Sequence, residues 1–159
     1  MQLTALRATL IVCLLGVGGD AWAQPPQEAD ATRVREIALG IISADNARDL
    51  SRVLAFYADD AVLLPPNEAP VHGKAAIEPR YEALFAEFDP DIAGEIAELH
   101  VTNDLAIVRG FNRGRLKPRT GGDARLLNDV YLMILRRASD GSWRIARLMW
   151  HSVTAAQPR

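Results

Sequence analysis

The chain has 159 residues, 49% of them hydrophobic and 24% charged, with a formal net charge of −2. Such a length and balance describe one globular domain with a core of its own. Nothing in them argues for a nucleic-acid-binding module, which would ask for a clear basic excess, and the single cysteine excludes an internal disulfide.

From the amino terminus, Arg7 precedes the apolar run Ala8 to Val17, and the stretch ends in Ala21-Trp22-Ala23, an A-x-A pattern before Gln24. The apolar run is roughly half of the ~20 residues that span a bilayer. Residues 1–23 therefore read as a secretory signal peptide cut after Ala23. The mature protein is expected to be periplasmic or secreted, with no stable membrane insertion after cleavage. The bulky Val12 before Cys13 argues against a lipoprotein signal. Cleavage removes Cys13, and with it any Cys nucleophile, Cys-ligated zinc or iron–sulfur chemistry.

Gln24 to Ala31 carries Pro and Gln with no apolar period and reads as a flexible leader. Val34, Ile37, Ala38, Ile41 and Ile42 then fall at i, i+3, i+4, i+7 and i+8, which predicts a helix from about Thr32 to Asn46. Asp49 is a natural N-cap for a second helix, whose buried stripe is Leu50, Val53, Leu54 and Tyr57, with Asp59-Asp60 closing it. Ala61 to Leu64 ends against Pro65-Pro66 and reads as a short strand. Ile77, Tyr81, Leu84, Phe85 and Phe88 predict a third helix, with Pro79 near its first turn. The periodicity then moves toward two. Ala93 to Val101, Leu105 to Leu116, Arg125 to Arg137 and Ser142 to Val153 are strand candidates, and Ser139-Asp140-Gly141 is a hairpin signal. Helices first and an antiparallel meander after argue for α+β. The expected organisation is one domain over residues 32–154 and a tail over residues 155–159.

The order Asn46 to Pro66, followed by Val71-His-Gly-Lys-Ala-Ala-Ile77, resembles the SnoaL-like (SgcJ/EcaC-type) branch of the NTF2-like superfamily. The resemblance implies an NTF2-like cone, three N-terminal helices packed on a curved antiparallel β-sheet, enclosing one pocket. It implies a homodimer through the outer face of the sheet. The Phe56-Tyr-Ala-Asp-Asp-Ala61 run and the Gly73 to Ile77 helix start are also similar to the ketosteroid isomerases of that superfamily. Their general base, an Asp before a Pro, corresponds here to Pro65, and their oxyanion-donating helix 1 tyrosine to Ile41. Two supporting positions are kept, a pocket tyrosine at Tyr81 and the oxyanion-hole acid at Asp129. Trp150 matches an aromatic pocket position.

Candidate site residues follow from both readings. An acid in an apolar pocket has its charged form disfavoured, so Asp129 is a candidate catalytic or ligand-binding acid; the plainer alternative is a strand residue bonded to an Arg or a backbone amide. Tyr81 lines the pocket or belongs to the core. Tyr131 shares a strand face with Asp129 and Met133. His151 falls on the opposite face from Trp150, away from any pocket. Asp59 and Asp60 read as structural. Arg109, Arg113, Arg115, Lys117, Arg119 and Arg125 form a basic concentration, either a solvated strand edge or an anion site. His72, His100 and His151 lie too far apart for a local metal cluster, and no H-E-x-x-H, G-x-S-x-G, Walker A or mature G-x-G-x-x-G motif is present. No cofactor and no metal are expected. The partner is a small, largely apolar ligand. The rival readings are an isomerase or lyase/hydrolase using Asp129 as acid, and a dimeric interaction module with a filled pocket.

Overall fold

The computed structural model describes residues 26–153. The expected signal peptide with its cut after Ala23, Cys13, and the tail over residues 155–159 lie outside the described residues.

Helix α1 spans Pro26–Ala47. It begins ahead of the expected Thr32, so most of the segment read as a leader is helical. The reason is tertiary: Gln27 donates to the Val101 carbonyl at 3.1 Å and Asp30 is anchored to the sheet by Arg137 and Trp143. Neither contact has a periodic signature. At the other end Arg48 takes a left-handed φ of 53° and the chain turns into α2, Leu50–Phe56, capped by Asp49 accepting from the Arg52 amide at 3.0 Å.

Tyr57 does not continue that helix. It adopts φ −87° and ψ 144° as the C-cap and opens β1, Tyr57–Leu64. An expected helix residue thus becomes a fully buried strand residue, and Asp59-Asp60 lie within the strand. A short hairpin returns through β2, Val71–His72. Helix α3, Lys74–Glu87, carries Ile77, Tyr81 and Phe85 into the core, while Phe88 already belongs to the next strand. Pro79 sits in the second turn rather than the first. Its missing amide leaves the Ala75 carbonyl without a helical donor, which is tolerable because both residues are exposed.

The meander follows as β3, Phe88–Thr102, β4, Leu105–Pro118, β5, Arg125–Arg137, and β6, Trp143–Ser152. Asn103, at φ 42°, makes the tight β3–β4 turn, and Gly141, at φ 80°, makes the β5–β6 turn announced by Asp140-Gly141. Strand order is β2-β1-β6-β5-β4-β3 in one open sheet. The sheet is mixed rather than wholly antiparallel, because β1 runs parallel to β6, with Leu63 opposite Leu148. Helix α3 separates β1 from the meander, and such a crossover is what permits parallel pairing. Bulges between Ile96 and Glu98 and between Ile134 and Leu135 bend the long strands. The inner face so formed carries Val101, Ala106, Val108, Met133, Leu135 and Ile145, all nearly inaccessible, against Val34, Ala38, Ile41 and Ala44 of α1.

Candidate functional site

Helix α1 lays a buried stripe on the sheet, and an aspartate stands at each end of it. Asp30 opens the stripe and is fully satisfied: Arg137 embraces both carboxylate oxygens and the Trp143 indole donates to Oδ1 at 3.2 Å. These donors hold the Asp30 carboxyl below its ordinary value. Asp45 closes the stripe, one turn beyond Ile41, and has no such company. Its Oδ1 is sealed from solvent without a hydrogen-bond partner. Burial alone pushes its carboxyl up to about 8. With an unpaired charge so costly in a dry setting, the neutral acid is the favoured species at neutral pH.

Beside Asp45 lies a pair of phenols. Tyr57, from the start of β1, and Tyr81, from the second turn of α3, meet hydroxyl to hydroxyl at 2.9 Å. Tyr81 also packs its ring on Phe85 at 5.7 Å between centroids. Burial raises both phenols above their ordinary range, and the nearby Asp45 charge raises them further. The two hydroxyls satisfy each other, and either can be the donor.

The opposite wall is the inner face of the meander. Asp129 is 7% exposed and accepts from the Ser152 hydroxyl at 2.7 Å. Its partner is therefore a neighbouring-strand hydroxyl, neither the Arg nor the backbone amide expected of a structural aspartate. Tyr131 stands two residues on, on the same face, with Trp150 opposite it on β6. The Tyr131 hydroxyl points across Gly110 to the Glu95 carbonyl at 3.5 Å, and burial pushes it up to about 12. A side chain at Gly110 would end 2.5 Å from that hydroxyl and 2.1 Å from the Glu95 carbonyl oxygen, so only glycine leaves room for the tyrosine. Asn112, opposite Asp129 on β4, holds a second buried oxygen without a partner. A Cβ on Gly94 would lie 3.5 Å from it and 3.0 Å from Ile42, which puts Asn112 against the α1 turn that leads to Asp45.

All four residues singled out in the sequence, Tyr81, Asp129, Tyr131 and Trp150, thus face the interior. Asp45, Tyr57 and Asn112 are additional. Asp45 was detectable, because it falls at i+11 from Val34, the next step of the same stripe that runs through Ile41. Tyr57 was legible as a buried position, though of a helix, and its place in β1 depends on strand pairing; Asn112 depends on strand register and carries no comparable signal.

Several other candidates resolve differently. Asp59 and Asp60 serve separate ion pairs, with Lys74 and Arg136 respectively, and do not act as a carboxylate pair. Five of the six residues of the basic concentration are paired across the outer face of β3 and β4: Arg109 with Glu98, Arg113 with Glu95, Arg115 and Lys117 with Asp91, Arg119 with Asp89, while Arg125 joins none of these pairs. Four acids face five cations in that ladder, so most of its charge is neutralised locally. His72, His100 and His151 are exposed on three different strands. An open cleft of about 620 Å³ sits at the β5–β6 turn, the opposite end of β5 from Asp129, and is walled by the paired Asp59, Asp60, Lys74 and Arg136.

Comparison with known proteins gives this geometry a family. The SnoaL-like domain matches residues 40–148. The chain belongs to the SnoaL-like family. Among solved structures, this SnoaL-like protein is similar to a ketosteroid isomerase-like protein from Erwinia carotovora atroseptica, at 28% identity and TM-score 0.73 over 79% of this chain and 98% of that one. A conserved protein from Planctomyces limnophilus aligns at 23% identity and TM-score 0.73, over 79% of this chain and 99% of that one. An NTF2-like protein of unknown function from Pseudomonas putida aligns at 22% and 0.65, over 82% and 98%. The fold is NTF2-like. No curated protein matches the SnoaL-like chain.

Proposed function

We propose that this SnoaL-like protein binds a small, largely apolar molecule inside its cone, as an exported, homodimeric protein of the SgcJ/EcaC-type branch. The observation that carries the reading is the composition of the inner surface. A few polar groups, Asp45, Asn112, Asp129 and the Tyr57–Tyr81 pair, are set among buried aliphatic and aromatic side chains. Mostly apolar walls with a small number of fixed polar groups are the ordinary make-up of a small-molecule site. Export rests on the amino-terminal sequence pattern. Dimerisation rests on the outer sheet face, where Ile107 and Met149 are exposed beside Leu132 and Ile134.

Acid–base catalysis on the bound molecule is the second reading. It draws support from the similarity to the ketosteroid isomerase-like protein and from the second oxygen of Asp129, which makes no hydrogen bond among the described residues. It lacks the isomerase base, since Pro65 and Ile41, both buried, supply no proton-transferring group.

Native mass spectrometry of the protein purified from the periplasm of its own cell tests ligand, export and subunit count together. A co-purifying small molecule on a dimer lacking residues 1–23 is expected. A bare chain mass in every preparation, with no thermal shift from a panel of apolar molecules, would remove the binding reading.

A further inference from the structure

The sequence comparison leaves the position of a helix 1 oxyanion donor empty at Ile41, but the same helix presents a carboxyl one turn later. Asp45 Oδ1 is shut off from solvent and unpartnered, whereas the residue as a whole is only half-buried, so Oδ2 is the oxygen that stays reachable. The carboxyl makes no hydrogen bond to any described residue, and a group left in that state within a packed protein calls for an explanation. Its surroundings narrow the choice. From β1 and α3, the titratable groups facing it are Tyr57 and Tyr81, which are occupied with each other. Arg48, on its own helix, turns away to Asp89 of β3, and Asp49 turns to the Arg52 amide of α2. Among the described residues no cation pairs with it.

We propose that Asp45 is the polar anchor of the cone, a ligand-contacting acid whose Oδ2–H donates to a carbonyl or ether-like oxygen on a small, largely apolar molecule. This assignment rests on the cone-binding reading above and gives it a ligand class: neutral, mainly hydrocarbon, with one hydrogen-bond acceptor near its edge. The Tyr57–Tyr81 pair forms the adjoining wall and keeps water from competing for that acceptor. A neutral carboxyl suits the task because it brings a donor without importing a charge that an apolar ligand could not balance. Its raised pKa matches the need for a proton at neutral pH.

The test compares two probes of one shape, 2-acetylnaphthalene, which has an acceptor oxygen, and 2-ethylnaphthalene, which has none. Binding to the mature protein is followed from pH 5.5 to 9.5, with the Asp45 carboxyl observed by carbon NMR and assigned through Asp45→Asn. The ketone is expected to bind about tenfold more tightly than the hydrocarbon below the Asp45 midpoint. That preference fades as pH rises above it, and the ketone raises the midpoint. Asp45→Asn, which keeps an N–H donor, retains the preference at pH 9, and Asp45→Leu abolishes it at every pH. Equal, pH-independent binding of both naphthalenes would overturn the Asp45 assignment while leaving the cone-binding reading in place. A midpoint lowered by the ketone would overturn it in the same way. Binding of neither probe would overturn both.

Discussion

Asp30 and Asp45 sit on one helix stripe, fifteen residues apart, and titrate in opposite directions because one has donors and the other has none. The consequences for stability have opposite signs. Asp30, held low, contributes stability above its unfolded value that is lost as pH falls through the folded one. Asp30→Ala is therefore expected to lower Tm by several degrees at pH 7, leaving the Trp143 N–H without its acceptor and Arg137 with only Asp104 and the Asn103 carbonyl, and to matter progressively less toward pH 2. Asp45, held high, works the other way. The native state binds the proton more tightly than the unfolded chain, so stability is greatest below the unfolded value near 3.8 and falls as pH rises toward about 8. Each pH unit in that window is worth up to about 1.4 kcal/mol, discounted here because the residue is half-buried. Asp45→Asn should thus stabilise the protein by about 2 kcal/mol at pH 7.5 and by a few tenths at pH 4, read from urea unfolding. A destabilised variant at pH 7.5 would mean that Asp45 is a satisfied structural group. A residue that lowers stability where it stands is what a functional position looks like under selection.

The same asymmetry between satisfied and orphaned groups governs the contact between β1 and α3. Tyr57 and Tyr81 come from elements that the sequence separates by a loop, and their hydroxyls complete each other in the core. Tyr81→Phe should cost about 1–2 kcal/mol by leaving the Tyr57 hydroxyl dry and unpaired. Tyr57→Phe in that background should cost almost nothing further, giving a coupling energy near 1 kcal/mol in a double-mutant cycle. Additive losses would show that the hydroxyls are satisfied elsewhere. This contact also marks where sequence reading stops. The periodic faces of α1 and α3, the Asp49 cap, the Asp140-Gly141 turn and the alternation of the meander are local signals, and they placed most elements within a few residues. What decided the rest was long-range. Gln27 and Asp30 extend α1 by bonding to strands more than seventy residues away. Tyr57 leaves its helix to pair in parallel with β6. Asn112 enters the interior through its register with Asp129. Asp45 was in phase with the apolar stripe, but a charged residue at a helix end reads as a solvated one until the burial of its oxygen is seen.

Taken whole, the molecule has two unlike sheet faces. The inner one is closed by helices. The outer one combines an ion-pair ladder over β3 and β4 with an apolar strip of Ile107, Leu132, Ile134 and Met149 that no described element covers. Ile107 is 39% exposed and pairs with Ile134, and Met149 is 44% exposed and pairs with Leu132, so the strip runs diagonally across three adjacent strands. An apolar strip rimmed by charge is the usual form of a protein interface, and a two-fold axis lets one such strip cover its own copy. The homodimer proposed above uses this face. Leu132 is the point to perturb, because its cross-strand neighbours are Arg109 and Met149 and it is not among the residues packed on the buried core. Leu132→Arg would bury an added arginine beside Arg109 between copies without an added acid, at a cost that a modest interface cannot absorb. Light scattering on the mature protein should give twice the chain mass for the wild type and the single-chain mass for Leu132→Arg, with unchanged far-ultraviolet circular dichroism. The variant should still distinguish 2-acetylnaphthalene from 2-ethylnaphthalene, because the anchor lies on the other side of the sheet. A wild type that stays monomeric at about 100 μM would remove the dimer, and a monomeric variant that loses ligand discrimination would show that the cone requires its partner to hold its shape.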